Sequence, residues 1–252
     1  MSLRPLPTDW PEQRETLRRI ATHVLAQRRK TLDNLFDLEP SVGGFAIPPV
    51  GPDRERVRVS GGLLVLERAT GPALSDLVAT TTVMPIDGSS LGELCAAVGF
   101  EPSSEFSAGP DTPPLGDLSA RLRLDATAAD VLGEWFLLGQ RAIDAAVGEV
   151  QGSGIEPDAS LGRLWPEHFD YGLDLVAAPG VRANLGAAAG DGFHEEPYLY
   201  VGPWDAARPG PDDYWNAPFG AVLGHADLAS VSDPLDRAAS FLGEGLTHLR
   251  GK

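Results

Sequence analysis

The sequence predicts an α+β protein with a largely antiparallel sheet and packed helices. Segments with the apolar spacing of helices are grouped apart from runs of strands, instead of alternating strictly with them as in a doubly wound parallel fold. The second half contains several short β-favouring runs in succession, which is typical of a meander. The chain of 252 residues also contains 29 Gly and 22 Pro, near twice the usual share, which predicts many turns and short elements.

The first third is predicted to contain a helix and a hairpin. Asp9, followed by Glu12 in a capping-box pattern, opens a helix over residues 9–31. Two β-favouring runs, 57–60 and 63–68, flank Gly61-Gly62, a pair suited to a two-residue hairpin turn that needs positive φ. A short strand at 45–47 is expected to lie beside them.

The middle of the chain is predicted to contain two helices separated by a loop and a strand. A second capping box, formed by Ser90 and Glu93, begins a helix that ends by Gly99, and the proline-rich stretch 101–117 is loop. Residues 118–124 alternate apolar and polar, the period of a half-buried strand. The longest helix, 126–147, has a broad apolar face and is expected to be the central packing element.

The second half is predicted to be a meander closed by a helix. Strands are expected at 169–176, 181–185, 198–201 and 219–223, and Asp233-Pro234 begins the closing helix. Residues 151–160 have the most linker-like composition of the chain. We therefore predict an N-terminal half, 1–150, and a C-terminal half, 161–252, with one continuous domain as the alternative.

Composition excludes several partners. Asp and Glu number 36 against 20 Lys and Arg, and this formal charge of −16 repels phosphate backbones and anionic bilayers within a Debye length of ~8 Å. No apolar run approaches the ~20 residues of a membrane span, and the N-terminus lacks a signal-peptide pattern. The single cysteine, Cys95, excludes an internal disulfide and is expected to be an inert buried thiol. We expect a soluble cytoplasmic protein that binds neither nucleic acid nor membrane, and its oligomeric state is left open.

The candidate site lies between Leu164 and Phe219, where aromatic, acidic and imidazole groups crowd together. All four tyrosines of the chain fall in this stretch. Strand periodicity places His168, Asp170, Gly172 and Asp174 on one face and Phe169, Tyr171, Leu173 and Leu175 on the other. The candidate ligand-binding residues are Trp165, His168, Asp170, His194, Glu195, Glu196 and Trp204. Within this stretch we expect Tyr171 and Tyr198 to belong to the core.

Four segments of this stretch carry a resemblance to a known family. They are Leu164–Asp170 (LWPEHFD), Asn184–Gly190, Glu196–Trp204 (EPYLYVGPW) and Tyr214–Gly220 (YWNAPFG). In these segments the chain resembles a family of uncharacterised proteins from high-GC bacteria. The resemblance implies a relationship but no activity, cofactor or fold.

Four interpretations of the candidate site stay open. Aromatic rings with carboxylates suit a pocket for a cationic or polyhydroxylated small molecule, which is the leading interpretation. His168, Asp170 and the distant His225 have the residue types of the facial triad of non-haem iron enzymes. Glu167 or Asp170 paired with Glu195 or Glu196 has the carboxylates of a glycoside hydrolase. The fourth interpretation is a purely structural or interaction protein, in which the rings fill a core and the acids are solvated. The sequence does not identify a cofactor.

Overall fold

A computed structural model describes residues 3–71, 78–152, 154 and 156–251. The protein is α+β, with two antiparallel five-stranded sheets and packed helices, which confirms the predicted fold class. In each sheet, strands that follow one another along the chain lie side by side. No helix within the described ranges is long and apolar enough to cross a membrane.

The chain divides into two compact units. The N-terminal unit consists of residues 6–134 and 164–169, and the C-terminal unit consists of the described residues of 1–5, 135–163 and 170–252. The division therefore falls at Glu134 and Trp135, within one helix, and the described residues of the linker-like stretch 151–160 belong to the C-terminal unit.

The described residues of the two units form seventeen elements. The helices are α1 Trp10–Ile20, a π-helical segment Ala21–Ala26, α2 Gln27–Asp33, α3 Leu91–Ala97, α4 Ala126–Gly152, α5 His225–Ala229 and α6 Pro234–Leu249. The strands are β1 Glu39–Ser41, β2 Gly44–Ala46, β3 Arg56–Ser60, β4 Leu63–Thr70, β5 Val78–Pro85, β6 Arg163–Trp165, β7 Asp170–Ala178, β8 Val181–Ala188, β9 Tyr198–Pro203 and β10 Ala221–Gly224.

The predicted hairpin is present and continues into a third strand. β3 and β4 pair from Ser60↔Leu63 onward, so Gly61 and Gly62 form the turn as expected. This third strand, β5, was not predicted from the sequence, and it pairs with β4 along its whole length. Because the side chains of β5 are exposed on both faces, including Val78 at 64 % and Val83 at 52 %, its sequence has no apolar alternation to reveal it.

The strand predicted at 118–124 is wrong. Leu122 and Leu124 are buried while Arg121 and Arg123 are exposed, so the alternation of burial exists. The backbone, however, forms only an isolated bridge between Ser90 and Arg121. Alternating burial predicts which side chains face a core, but it does not by itself provide a partner strand.

Several capping and burial predictions are confirmed. Ser90 and Glu93 form the reciprocal capping box at the start of α3, and the Asp233 side chain accepts from the Asp236 amide at the start of α6. Cys95 is fully buried in α3, where burial raises the pKa of its thiol to about 12. A thiol with so high a pKa carries almost no thiolate at neutral pH, which agrees with an inert side chain.

A buried carboxylate connects the first helical stretch of the N-terminal unit to its sheet. Glu55 accepts from Arg28 through both oxygens, at 2.6 and 2.9 Å, and from Arg68 at 2.8 Å. Burial alone would raise the pKa of Glu55, but the hydrogen bonds from the two guanidinium groups hold that pKa below its ordinary value. The ionised form is therefore the one that the folded protein stabilises.

In the C-terminal unit, α4 packs against β8 at very close range. A Cβ atom placed on Gly139 would lie 2.3 Å from the Cβ of Ala187 and 3.8 Å from a methyl group of Leu199. The indole N–H of Trp135, one turn earlier, donates to the Ala188 carbonyl at 2.8 Å. Gly139 is therefore required by the closeness of helix and sheet, not by the helix itself.

Two glycine substitutions in α4 should have opposite effects on stability. A Cβ atom placed on Gly148 would have no other atom within 4 Å. Replacing glycine with alanine at an exposed helix position stabilises the protein by about 1 kcal/mol, so Gly148→Ala should raise the free energy of unfolding. Gly139→Ala should lower it by roughly 1 to 3 kcal/mol, because the new methyl group overpacks the contact with Ala187. Urea denaturation of both variants tests this, and a gain for Gly139→Ala would contradict the close contact.

Glu55→Gln should destabilise the protein most at neutral pH. The loss should be about 3 kcal/mol at pH 7, since two arginines lose their buried partner. Because the pKa of Glu55 is depressed, its contribution is present above the unfolded pKa of ~4.3 and is lost as the pH falls through the folded pKa.

The difference between wild type and Glu55→Gln should therefore shrink on acidification, as measured by denaturation at a series of pH values. Glu105→Gln, a substitution of an exposed glutamate in the same unit, is the matched control and should change neither the stability nor its acid dependence. A pH-independent difference for Glu55→Gln would show that the charge of Glu55 is not what the arginines bind.

Candidate functional site

The meander β7-β8-β9-β10 has one apolar face and one polar, aromatic face. Leu175, Leu185, Leu199 and Val201 are fully buried on the apolar face, which is covered by α4 at Gly139 and by α6 at Gly245. The strand registers pair Asp170 with Ala188 and Tyr198, and Gly172 with Gly186 and Tyr200, on the opposite face. Because the helices cover the apolar face, only the side chains on the opposite face of the sheet are available to contact a ligand.

Tyr200 lies flat across two glycines of the neighbouring strands. A Cβ atom on Gly186 would lie 2.3 to 2.4 Å from atoms of the Tyr200 ring, and one on Gly172 would lie 3.2 Å from its hydroxyl. The Tyr200 hydroxyl donates to Asp170 Oδ2 at 2.5 Å. Burial and the Asp170 charge raise the pKa of this phenol well above its ordinary value, so it stays protonated and donates.

A second tyrosine and aspartate pair lies beside the first. Tyr198 donates to Asp191 Oδ2 at 2.7 Å, and its ring lies 6.3 Å from that of Tyr200. The other oxygen of Asp191 accepts from the amides of Phe193 and His194, at 2.8 and 3.1 Å. One carboxylate thus shapes the loop between β8 and β9 and fixes it to the sheet.

Aromatic rings cover the two pairs. The Phe219 ring contacts those of Phe193 at 5.1 Å, Tyr200 at 6.4 Å and Tyr198 at 6.5 Å, within the range of favourable ring packing. Phe193 is 47 % exposed and Phe219 is 37 % exposed. We call the set Asp170, Asp191, Phe193, Tyr198, Tyr200 and Phe219 the aromatic–acidic surface.

Trp204 extends the same face of the sheet. Its indole N–H donates to Asn184 Oδ1 at 2.8 Å, and the Arg182 guanidinium lies 5.2 Å from its ring centroid. Arg182 is in turn held by Asp174 and Asp158, at 3.0 and 2.9 Å. Although Trp204 is 63 % exposed, its orientation is fixed by these contacts.

The remaining predicted residues of the C-terminal unit lie in the loop between β8 and β9. His194, Glu195 and Glu196 are all exposed. The His194 ring lies 5.9 Å from the Tyr198 ring, beside the aromatic–acidic surface. Of the two tyrosines predicted as core, Tyr171 is buried on the helix-covered face, whereas Tyr198 is buried on the opposite face, in the candidate site.

Trp165 and His168 belong to the N-terminal unit. The Trp165 ring packs 6.2 Å from that of Phe36, and His168 Nδ1 lies 3.2 Å from an Asp111 carboxylate oxygen. The expectation that His168 and Asp170 share one face of a strand is wrong. Phe169 between them has φ +55, a left-handed conformation, so β7 and its alternation begin only at Asp170.

His225 is buried at the start of α5, where its ring packs 5.8 Å from that of Trp135. Burial lowers the pKa of this imidazole, which therefore favours the neutral form. Across the part of the chain that the structure describes, no group of three or more His, Cys, Asp or Glu side chains is arranged to hold a metal ion. The metal-dependent and carboxylate-pair interpretations stay predictions.

Compared with known proteins, the chain matches no family model, no curated protein and no solved structure. The candidate site is therefore argued from its own geometry.

Four residues of the aromatic–acidic surface were not predicted from the sequence as site residues: Asp191, Phe193, Tyr200 and Phe219. The spacing of Tyr198 and Tyr200 contained a usable signal, since residues i and i+2 of a strand share a face, and Leu199 and Val201 are the more apolar pair. Phe219 could not be found this way, because it precedes β10 and reaches the site only through the pairing of β10 with β9.

Tyr200→Phe should change how stability depends on pH in alkaline solution. A phenol with a raised folded pKa keeps its proton in the folded state, while the unfolded chain loses it near pH 10, so the free energy of unfolding falls as the pH rises above that value. In Tyr200→Phe, the free energy of unfolding should therefore fall less steeply with pH in this range, by about 1.4 kcal/mol per pH unit.

Denaturation of wild type and Tyr200→Phe at pH values between about 9 and 12 measures the two slopes. At neutral pH the variant should also lose roughly 1.5 to 3 kcal/mol, since Asp170 loses a charge-assisted hydrogen bond. If the free energy of unfolding fell with pH at the same slope in both proteins, the phenol of Tyr200 would have the same pKa in the folded and unfolded states.

Proposed function

We propose that the C-terminal unit binds a small cationic or polyhydroxylated molecule on the aromatic–acidic surface. The observation that carries the proposal is the exposure of Phe193, Phe219 and Trp204 on the sheet face that also holds two hydrogen-bonded carboxylates. Exposed apolar side chains occur singly on most proteins, but a group of them rimmed by polar residues is typical of binding sites.

The charge of the surface favours these ligand classes. Asp170 and Asp191 accept hydrogen bonds from the two tyrosines of this surface, and Glu195 and Glu196 are exposed in the adjoining loop. Ring faces attract cations, and carboxylates accept from ammonium or hydroxyl groups. An anionic ligand would be repelled by the same acids.

Preorganisation also supports binding. Each carboxylate is oriented by a tyrosine hydroxyl, and the Trp204 indole is fixed by Asn184 and Arg182. Side chains that are already ordered lose little conformational entropy when a ligand arrives, so a larger share of the contact energy appears as affinity.

Binding can be tested with two sets of probes, quaternary ammonium ions such as choline and neutral sugars such as glucose and cellobiose. We expect at least one set to bind to the wild type in isothermal titration calorimetry and to change its tryptophan fluorescence. Phe219→Ala and Trp204→Ala should each weaken that binding about tenfold, the order of the ~1 to 2 kcal/mol contributed by one cation–π or stacking contact.

Leu161→Ala is the matched control, because Leu161 is also an exposed apolar residue of the same unit. Its binding should equal that of the wild type. If neither set of probes binds, or if the control weakens binding as much as the two aromatic variants, the proposal fails.

A further inference from the structure

A cavity of about 340 Å³ lies in the N-terminal unit. Its lining includes Arg54, Arg56, Arg68, Glu67, Thr80 and Thr81. Ligand pockets for small molecules have volumes of roughly 300 to 1,000 Å³, so this arginine groove is large enough for one. It contains none of the residues predicted from the sequence as a site, and it is independent of the function proposed above.

Arginines in and next to the groove outnumber their carboxylate partners, when Arg28 and Arg58, which do not themselves line the groove, are counted with it. Arg28 and Arg68 share the single carboxylate of Glu55, whereas Arg56 pairs with Glu39 and Arg58 with Glu67. The amide of Arg54 donates to the Gly51 carbonyl at 3.1 Å, but its guanidinium has no hydrogen-bond or ion-pair partner among the described residues. Five arginines against three glutamates leave two surplus positive charges, or one if the neighbouring Asp53 is counted. This surplus occurs in a chain whose formal charge is −16.

Arg54 is held in an unusual backbone conformation. Its φ is +46, in the left-handed region that non-glycine residues seldom occupy. The turn is closed by reciprocal backbone hydrogen bonds between Val50 and Glu55, at 2.9 and 2.8 Å, and Asp53 accepts from the Ala69 amide on β4. The fold therefore maintains a strained residue, with an unpaired guanidinium, at the wall of the cavity.

The other polar groups of the groove suit an anion as well. The Arg56 Nε has no hydrogen-bond acceptor among the described residues, although its Nη2 atom binds Glu39 at 2.8 Å. Thr81, on β5, lies on the same face of the sheet as Glu67 and Arg56 and adds a hydroxyl donor to the groove. Planar guanidinium groups with hydroxyls nearby are the usual protein ligands of carboxylate and phosphate groups.

We propose that the arginine groove binds a small anionic molecule through a phosphate or carboxylate group, with Arg54 and Arg56 as its principal contacts. The ion pairs to Glu55 and Glu39 hold Arg68 and Arg56 in position while leaving donors available. The strongly negative charge of the rest of the protein disfavours polyanions such as nucleic acids. The expected ligand is therefore a small anion.

Calorimetric titration of the full chain at constant ionic strength tests this with inorganic phosphate and with succinate, and glycerol serves as the uncharged control. One or both anions should bind at a stoichiometry of one, and glycerol should not. Binding of phosphate alone would indicate that the groove binds phosphate groups, and binding of succinate alone would indicate that it binds carboxylates. Binding of both anions would indicate a site for either group.

Arg54→Gln should weaken the binding about tenfold or more, the contribution of one charge-assisted hydrogen bond. Arg123→Gln, which removes another exposed arginine of the same unit, should leave it unchanged. Arg56→Gln provides a second variant, and circular dichroism confirms that each variant is folded. Absence of binding by both anions up to roughly 10 mM, or equal weakening by Arg123→Gln, overturns the proposal.

Discussion

The close contact of α4 with β8 at Gly139 is the constraint on which the C-terminal unit depends. With no side chain on Gly139, the helix approaches the sheet closely enough to touch Ala187 and Leu199 and to cover the apolar face of the meander. Sheets that are covered on one face keep their other face for polar and aromatic side chains. The position of one glycine in a helix thus bears on which residues of β7, β8 and β9 are available to a ligand.

The available face is stabilised by tyrosines that act both as packing groups and as donors. Tyr200 needs Gly172 and Gly186 beneath it, since a larger residue at Gly186 would occupy the space of its ring. Its hydroxyl donates to Asp170, which is half-buried, and the hydroxyl of Tyr198 donates to Asp191, which is exposed. An unpaired polar group in a half-buried position is costly, so the Tyr200 hydroxyl stabilises Asp170 beside the aromatic rings.

The two units differ in their local electrostatics. The C-terminal sheet places acids beside aromatic rings, while the N-terminal sheet concentrates arginines around the buried carboxylate of Glu55. The formal charge of −16 describes neither surface, because a net charge averages over both. Ligand classes of opposite sign are therefore proposed for the two units, each from the charges that the fold places together.

The sequence by itself determined the elements whose signals are local. Hydrophobic periodicity predicted α4, the glycine pair predicted the turn from β3 to β4, and capping residues predicted the starts of α3 and α6. The concentration of aromatic and acidic residues also predicted that the region after Leu164 contains a site.

Only the tertiary structure decided which of those residues meet. The left-handed conformation of Phe169 separates His168 from the strand of Asp170, and strand pairing brings Phe219 to Tyr200. Strand β5 left no periodic signal in the sequence, because neither of its faces is buried. The arginine groove left none either, because its ion pairs join residues that are distant in sequence.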